Sequence, residues 1–257
     1  MLPVMSTEDR KRREREAREA LFIERAHERI REDGLLGLQM SKLAADCEYA
    51  TGTLYQHFES REDLLAAVAA RTTRERAGRF RAIPGLALGT RSRMLAIVLT
   101  DIDFAANNPD YYRLTQYLVT EVVWANVSAP RRADLLEAGR PISEAVHAVV
   151  AEARDQGDLP PAREISEEEM GLGPWALNVG MQSLANAQGL LDAYDIHRPY
   201  DHLIRHFHAL MTGWRWEPRL DPDDPSVVRG ETERVRAVLR SAGIGVEPPE
   251  RGRTTAE

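Results

Sequence analysis

Apolar residues recur at intervals of three and four along almost all of this 257-residue chain, and the strict alternation of a half-buried strand appears almost nowhere. That pattern restricts the fold to helices packed on helices, an all-α chain long enough to bury a sizeable core. Breakers divide it. A heavily charged helix from Ser6 to Asp33, with Phe22, Ile23, Ala26 and Ile30 on one line, stops at Gly34. Short helices follow over Met40–Cys47 and Ala50–Phe58, and Ser60 caps a longer one that runs to Arg81, with Asp63 three residues on as an acidic capping box. Further helices span Arg91–Asn107, Asp110–Asn126, Arg131–Gln156, Glu167–Leu191 and Asp201–Trp216. Beyond them lies a proline-rich stretch, "EPRLDPDDPS", then a marginal helix over Thr232–Ser241 and a frayed end.

Charge is unevenly spread. The chain carries a net −7, yet residues 1–81 hold 16 basic and 15 acidic residues, and the rest hold 18 and 26. A near-neutral first third on an acidic body fits nucleic-acid contact confined to one end. Cys47 is the sole cysteine, so no intrachain disulfide forms; its place on the apolar side of a short helix predicts a buried thiol. The start, "MLPVMSTEDRKRR", lacks a leader's apolar run, and no stretch is long and apolar enough for a membrane span, so a cytoplasmic location is expected.

The stretch "ATGTLYQHF" at 50–58 raises the sharpest functional question. A helix of about eight residues, a turn and a second short helix have the geometry of a helix-turn-helix, whose second helix enters the DNA major groove. Leu54 and Phe58, at i and i+4, face inward on Leu43 and Ile30. Thr51, Thr53, Tyr55 and Gln56 then point at least partly outward, and Gly52 lets the backbone come close to a duplex. Threonine can bond base edges or phosphates, while Tyr55, His57 and Arg61 suit phosphate oxygens. The same spacing also fits a small helical subdomain with a merely polar surface.

The residues from about Phe22 to Val68 closely resemble the DNA-binding domain of TetR-family transcriptional regulators. The resemblance rests on Gly34, on "GTLYQHF" at Gly52–Phe58 and on "SREDLL" at Ser60–Leu65, all in that family's spacing. It implies a homodimer whose recognition helices meet successive half-sites of a palindromic operator, and an all-helical C-terminal body that binds a small-molecule inducer. Carried over, it places Thr51, Gly52, Thr53 and Tyr55 on the recognition helix, His57 and Arg61 at phosphates, and Gln39, Ser41 and Lys42 beside the backbone. Three positions depart from the pattern. Glu48 stands where glycine is usual and forces a positive φ on a larger residue, Ala50 replaces a capping serine or threonine, and Tyr49 replaces a small aliphatic. In "DRKRREREAR" acidic residues alternate with arginines, which favours ion pairing along a solvated helix over an arm in the minor groove.

The expected organisation is a helix-turn-helix domain with a charged extension over 1–62, a helical ligand-binding and dimerisation body over 63–217, and a proline-rich tail with a possible short helix over 218–257. Leu172, Trp175, Ala176, Val179, Ser183, Leu184 and Ala187 form one stripe on helix 167–191. Leu203, Phe207, Leu210, Met211 and Trp214 form another on helix 201–216, and the two resemble the pair that builds the family's dimeric four-helix bundle. Phe104, Tyr111, Tyr117, Trp124, His147 and Asn178 are candidate inducer contacts, apolar walls with a few polar groups.

The rival class is a helical-bundle metal-carboxylate enzyme, since Glu24–His27 and Glu144–His147 are both Glu-x-x-His pairs. Glu24 and His27, however, lie on the first helix of the resembling domain, whose inward line is Phe22, Ala26 and Ile30. No enzyme activity, catalytic residue, metal or other cofactor is therefore expected. The expected function is that of a sequence-specific, ligand-responsive repressor of transcription. A non-inducible DNA-binding protein or an activator on the same fold is the nearest alternative.

Overall fold

The computed structural model describes residues 6–160 and 166–244, and among these every regular element is a helix. Eleven are α-helices: α1 Thr7–Asp33, α2 Met40–Asp46, α3 Thr51–Tyr55, α4 Arg61–Phe80, α5 Thr90–Asn107, α6 Pro109–Leu118, α7 Glu121–Asn126, α8 Ala129–Asp155, α9 Glu167–Asn186, α10 Pro199–Gly213 and α11 Pro225–Ser241. They belong to two compact units. One holds the described residues up to Thr73 together with Asp110–Ala138, and the other holds Arg74–Pro109 and the described residues from Gly139 onward.

In the first unit, α1 opens on Ser6, whose hydroxyl accepts the Asp9 N–H at 3.1 Å, and ends at Gly34 with φ 76°, a conformation that costs glycine nothing. The alternating charges of its early turns pair along the helix, Arg10 with Glu14 and Arg12 with Asp9, each at 3.3 Å. The apolar line turns inward: Phe22, Ala26 and Ile30 join Leu43 of α2, Leu54, Phe58, Leu65 of α4, and Leu114 and Leu118 of α6 in one core. The expected single helix over 110–126 is broken between α6 and α7. There the β-branched pair Val119–Thr120 loses side-chain freedom in a helix, and the Thr120 hydroxyl donates to the Tyr117 carbonyl at 2.8 Å, competing with the helical ladder.

The second unit is built around α5, which is buried along most of its length. Its core gathers Leu95, Leu99, Val149, Val150, Phe207, Met211 and Trp216, and reaches Val235 and Leu239 of α11. The last helix starts at Pro225, earlier than the spacing of apolar residues suggests, because Asp224 caps it and a proline fits the first turn. Arg91 lies fully inside this core and donates to the Trp216 and His208 carbonyls at 2.8 and 3.1 Å and to Thr212 Oγ1 at 3.0 Å. Burial pushes its guanidinium pKa down to about 10.

His208 beside it is fully buried, and neither ring nitrogen has a hydrogen-bond partner. Burial, then the neighbouring Arg91 charge, lowers its pKa to about 4, against the opposing pull of Glu231. The native state therefore holds this imidazole neutral, whereas the unfolded chain protonates it near pH 6.5. Its contribution is intact above about pH 6.5 and is lost progressively as the pH falls toward 4, by at most about 3 kcal/mol. Denaturant titrations across that range should show stability falling with pH in the unaltered chain and falling less in His208→Leu; an unchanged slope would contradict the assignment.

Candidate nucleic-acid interface

A five-residue helix cannot stand alone, so α3 depends on what holds it. Leu54 and Phe58 are both fully buried, and they fix the helix on the core of α1 and α2. The backbone then tightens: the Gln56 N–H is shared between the Gly52 and Thr53 carbonyls, and the His57 N–H reaches Leu54 at 3.0 Å. α2 is tied to α1 by Arg29, whose guanidinium donates to both oxygens of Asp46 at 2.6 and 2.8 Å. That bidentate contact holds the Asp46 carboxyl below the usual carboxylate range.

The face left to solvent is polar. Tyr55 is 50% exposed, Gly52 and Gln56 are exposed, and Thr51 and Thr53 are half-buried. Gln39, Ser41 and Lys42, around the start of α2, are exposed as well. Six of the expected contact residues are thus exposed and two half-buried.

The remaining two are committed inside the protein. Arg61 donates to the Leu35 and Leu38 carbonyls at 2.6 and 3.2 Å and to the Tyr117 hydroxyl at 3.3 Å, so it staples the connection between α1 and α2. His57 is buried edge-on to Phe22, with its Nδ1 3.5 Å from Glu19, which also receives Arg131 at 2.8 Å. Burial lowers the His57 pKa despite Glu19, so the ring is neutral at pH 7 and brings no cation to the surface. α3 ends at Tyr55 with Gln56 as its C-cap, so His57 lies beyond the helix, and Arg61 opens α4.

The three unusual turn positions are each accommodated. Glu48 adopts φ 61° and is exposed, so a non-glycine residue carries the left-handed turn between α2 and α3. Ala50 caps α3 without a side-chain hydrogen bond. Tyr49 packs edge-on against Phe22 at 5.4 Å and receives the Arg18 guanidinium over its ring at 5.4 Å, contacts a small aliphatic residue cannot make. Cys47 is buried, and burial pushes its thiol pKa up, which keeps it protonated and unreactive.

The candidate inducer residues divide between the units. Tyr111, Tyr117 and Trp124 lie in the first, and Phe104, His147 and Asn178 in the second. Tyr111 bonds the Thr73 hydroxyl at 2.9 Å, Tyr117 serves Arg61, and Trp124 and His147 are half-buried. Phe104 is buried beneath the Arg79 guanidinium at 5.1 Å. Asn178 is buried on α9 and donates to Asp101 of α5. One turn on, the buried Gln182 accepts the Tyr200 hydroxyl at 2.8 Å. Asn178 Oδ1 and Gln182 Nε2 remain without partners. Nothing in the sequence points to Gln182, because an amide on a helix reads as a solvated position. The two Glu-x-x-His pairs also lie in different units; Glu24 is taken by Arg71, and Glu144 by Arg140 at 2.8 Å.

Residues 22–68 match the model of the family described as bacterial regulatory proteins, tetR family. Solved structures share the fold at low identity. A protein of unknown function from Rhodococcus sp. RHA1 aligns with a TM-score of 0.57 at 21% identity, over 77% of this chain and 95% of that one. A bacterial regulatory protein in the tetR family from Rhodococcus RHA1 aligns with 0.53 at 16%, over 77% and 96%. The transcriptional regulator FadR from Bacillus subtilis, solved in complex with stearoyl-CoA, aligns with 0.52 at 17%, over 76% and 98%. Among curated proteins, none matches this chain.

The strain at Glu48 is open to measurement. Holding a side chain in the left-handed region costs about 1 kcal/mol or more, and glycine is relieved of it at some cost in chain entropy. Glu48→Gly should raise the melting temperature by about 2 °C, and a lower value would show that the carboxylate stabilises the turn.

Proposed function

From the match of residues 22–68 to the tetR-family model, we propose that the chain is a sequence-specific regulator of transcription that binds double-stranded operator DNA. The observation that carries this reading is α3 and its cap: a short helix locked beneath by the fully buried Leu54 and Phe58, with Gly52, Tyr55 and Gln56 exposed and Thr51 and Thr53 partly so. A groove-reading helix needs that combination of a fixed register and a polar, uncharged face able to bond bases and phosphates. Gln39, Ser41 and Lys42 sit beside it as backbone contacts. His57 and Arg61 act from beneath, as supports that set the helix rather than as phosphate ligands.

The regulator works as a homodimer in this reading, repressing transcription until a small molecule releases it from a palindromic site. Support for the dimer comes from α9, where Trp175, Leu172 and Leu184 are 63%, 53% and 43% exposed beside the small residues Ala176, Gly180 and Ser183. Exposed apolar side chains aligned with small residues on one helix make a surface on which a second copy can pack closely. On α10 the line Leu203, Phe207 and Met211 is spent on the unit's own core, so His202, His206, Ala209 and Gly213 are the outward positions. The unpartnered Asn178 Oδ1 and Gln182 Nε2 support a polar anchor for the inducer within the second unit. The relative FadR is itself seen with a bound acyl-CoA, which supports a ligand-responsive role on this fold. Release follows if the inducer binds better to a conformation whose paired α3 helices no longer match successive grooves; its effect is limited by that difference in affinity.

Selection of bound sequences from random duplexes is the direct test, and it should enrich a palindrome. Enrichment of no sequence would remove the regulator reading, and a subsequent metabolite screen for release tests induction. Tyr55→Ala should weaken the selected duplex by about tenfold while the oligomeric state is kept. Trp175→Asp should yield monomers in sedimentation experiments and weaken operator binding by about thirtyfold or more, as loss of an interface anchor does.

A further inference from the structure

The surface around α3 is short of positive charge. α3 carries no cation, Glu48 beside it is anionic, and in α2 only Lys42 is basic. The other arginines nearby are engaged: Arg25 and Arg29 with Asp46, and Arg61 with main-chain carbonyls. A duplex presents a dense row of phosphates, and binding that neutralises one of them is not strong.

α1 supplies what is missing. Lys11, Arg15 and Arg18 fall at i, i+4 and i+7, so they share one face of the helix. That face meets the end of the recognition segment directly, where Arg15 donates to the Gln56 carbonyl at 3.4 Å. Between them lies a cleft of about 230 Å³ lined by Lys11, Glu14, Arg15, Arg18, Gln56 and His57. Lys11 and Arg15 are exposed. Arg18 sits over the Tyr49 ring, and its Nε is buried without a hydrogen-bond partner. The one carboxylate in the lining, Glu14, is paired with Arg10 at 3.3 Å.

We infer that the early turns of α1 form a rigid phosphate clamp: Lys11 and Arg15, steadied by Arg18, hold the duplex backbone next to the groove that α3 reads. This rests on the DNA-binding reading above and assigns its non-specific electrostatic part to a helix outside the helix-turn-helix. The clamp contacts phosphates alone, so it adds affinity without adding sequence preference. Because these residues already lie on a formed helix, binding orders no flexible arm.

The test uses the full chain, the duplex selected from random sequences, and a scrambled duplex of equal length, with affinity measured across a range of salt. In Lys11→Ala/Arg15→Ala the log–log salt slope should become shallower by about 1.8 per engaged protomer, with weaker binding to both duplexes alike. Arg13→Ala is the control, because residue 13 lies about 200° round the helix from residue 11, and it should leave the slope unchanged. Glu14→Gln should tighten binding to both duplexes. An unaltered slope in the double variant, or an equal loss in Arg13→Ala, overturns the clamp while leaving operator recognition standing. If the unaltered chain binds neither duplex, the DNA-binding reading falls and the clamp with it.

Discussion

A helix of five residues forms only if something else supplies its free energy, since helix nucleation is unfavourable and isolated helices this short are not stable. Here the supply is the complete burial of Leu54 and Phe58 against Phe22, Ile30 and Leu43. Fully burying two large apolar side chains contributes on the order of 3–6 kcal/mol, enough to outweigh an uncapped N-terminus at Ala50 and a strained turn at Glu48. Each feature of the exposed face follows from that anchoring. Tyr55 projects outward because its neighbours at 54 and 58 cannot, and its register is fixed to within the tolerance of a packed core.

The same packing explains which charges remain for an external partner. Arg61, Arg29 and His57 all lie near α3 and all serve internal structure, two by satisfying main-chain or carboxylate oxygens and one as a neutral ring against Phe22. Main-chain carbonyls of a connection such as Leu35–Leu38 need donors, and a planar guanidinium serves several at once. A surface that recognises DNA therefore draws its cations from wherever the fold leaves them unspent.

Helix positions and the inward line of α1 were legible in the sequence, because apolar residues three and four apart leave little choice about the buried face. The anchors Leu54 and Phe58 were readable for the same reason, whereas the left-handed turn at Glu48 was readable only through the family resemblance, which puts glycine at that position. The inward turn of His57 and Arg61 was not. Arg61's partners are the carbonyls of Leu35 and Leu38, which any residue supplies, so no side-chain pattern announces them. The break between α6 and α7 depends on one hydroxyl preferring a local carbonyl, and the buried role of Gln182 depends on Tyr200 arriving from another helix. These are contacts between elements, and a linear pattern registers only faces.

Asp63 sits fully enclosed in the first turn of α4 and uses its two oxygens separately. One accepts the Glu59 N–H at 3.2 Å, and the other accepts the Ser128 N–H at 2.7 Å, immediately before α8 begins. A single carboxylate thus caps the starts of two long helices that are more than sixty positions apart in the chain. Neither helix can shift its first turn along its axis without pulling on the other or surrendering a buried hydrogen bond. Since α4 follows directly on the recognition segment, that one carboxylate ties the helix leaving the segment to the start of α8.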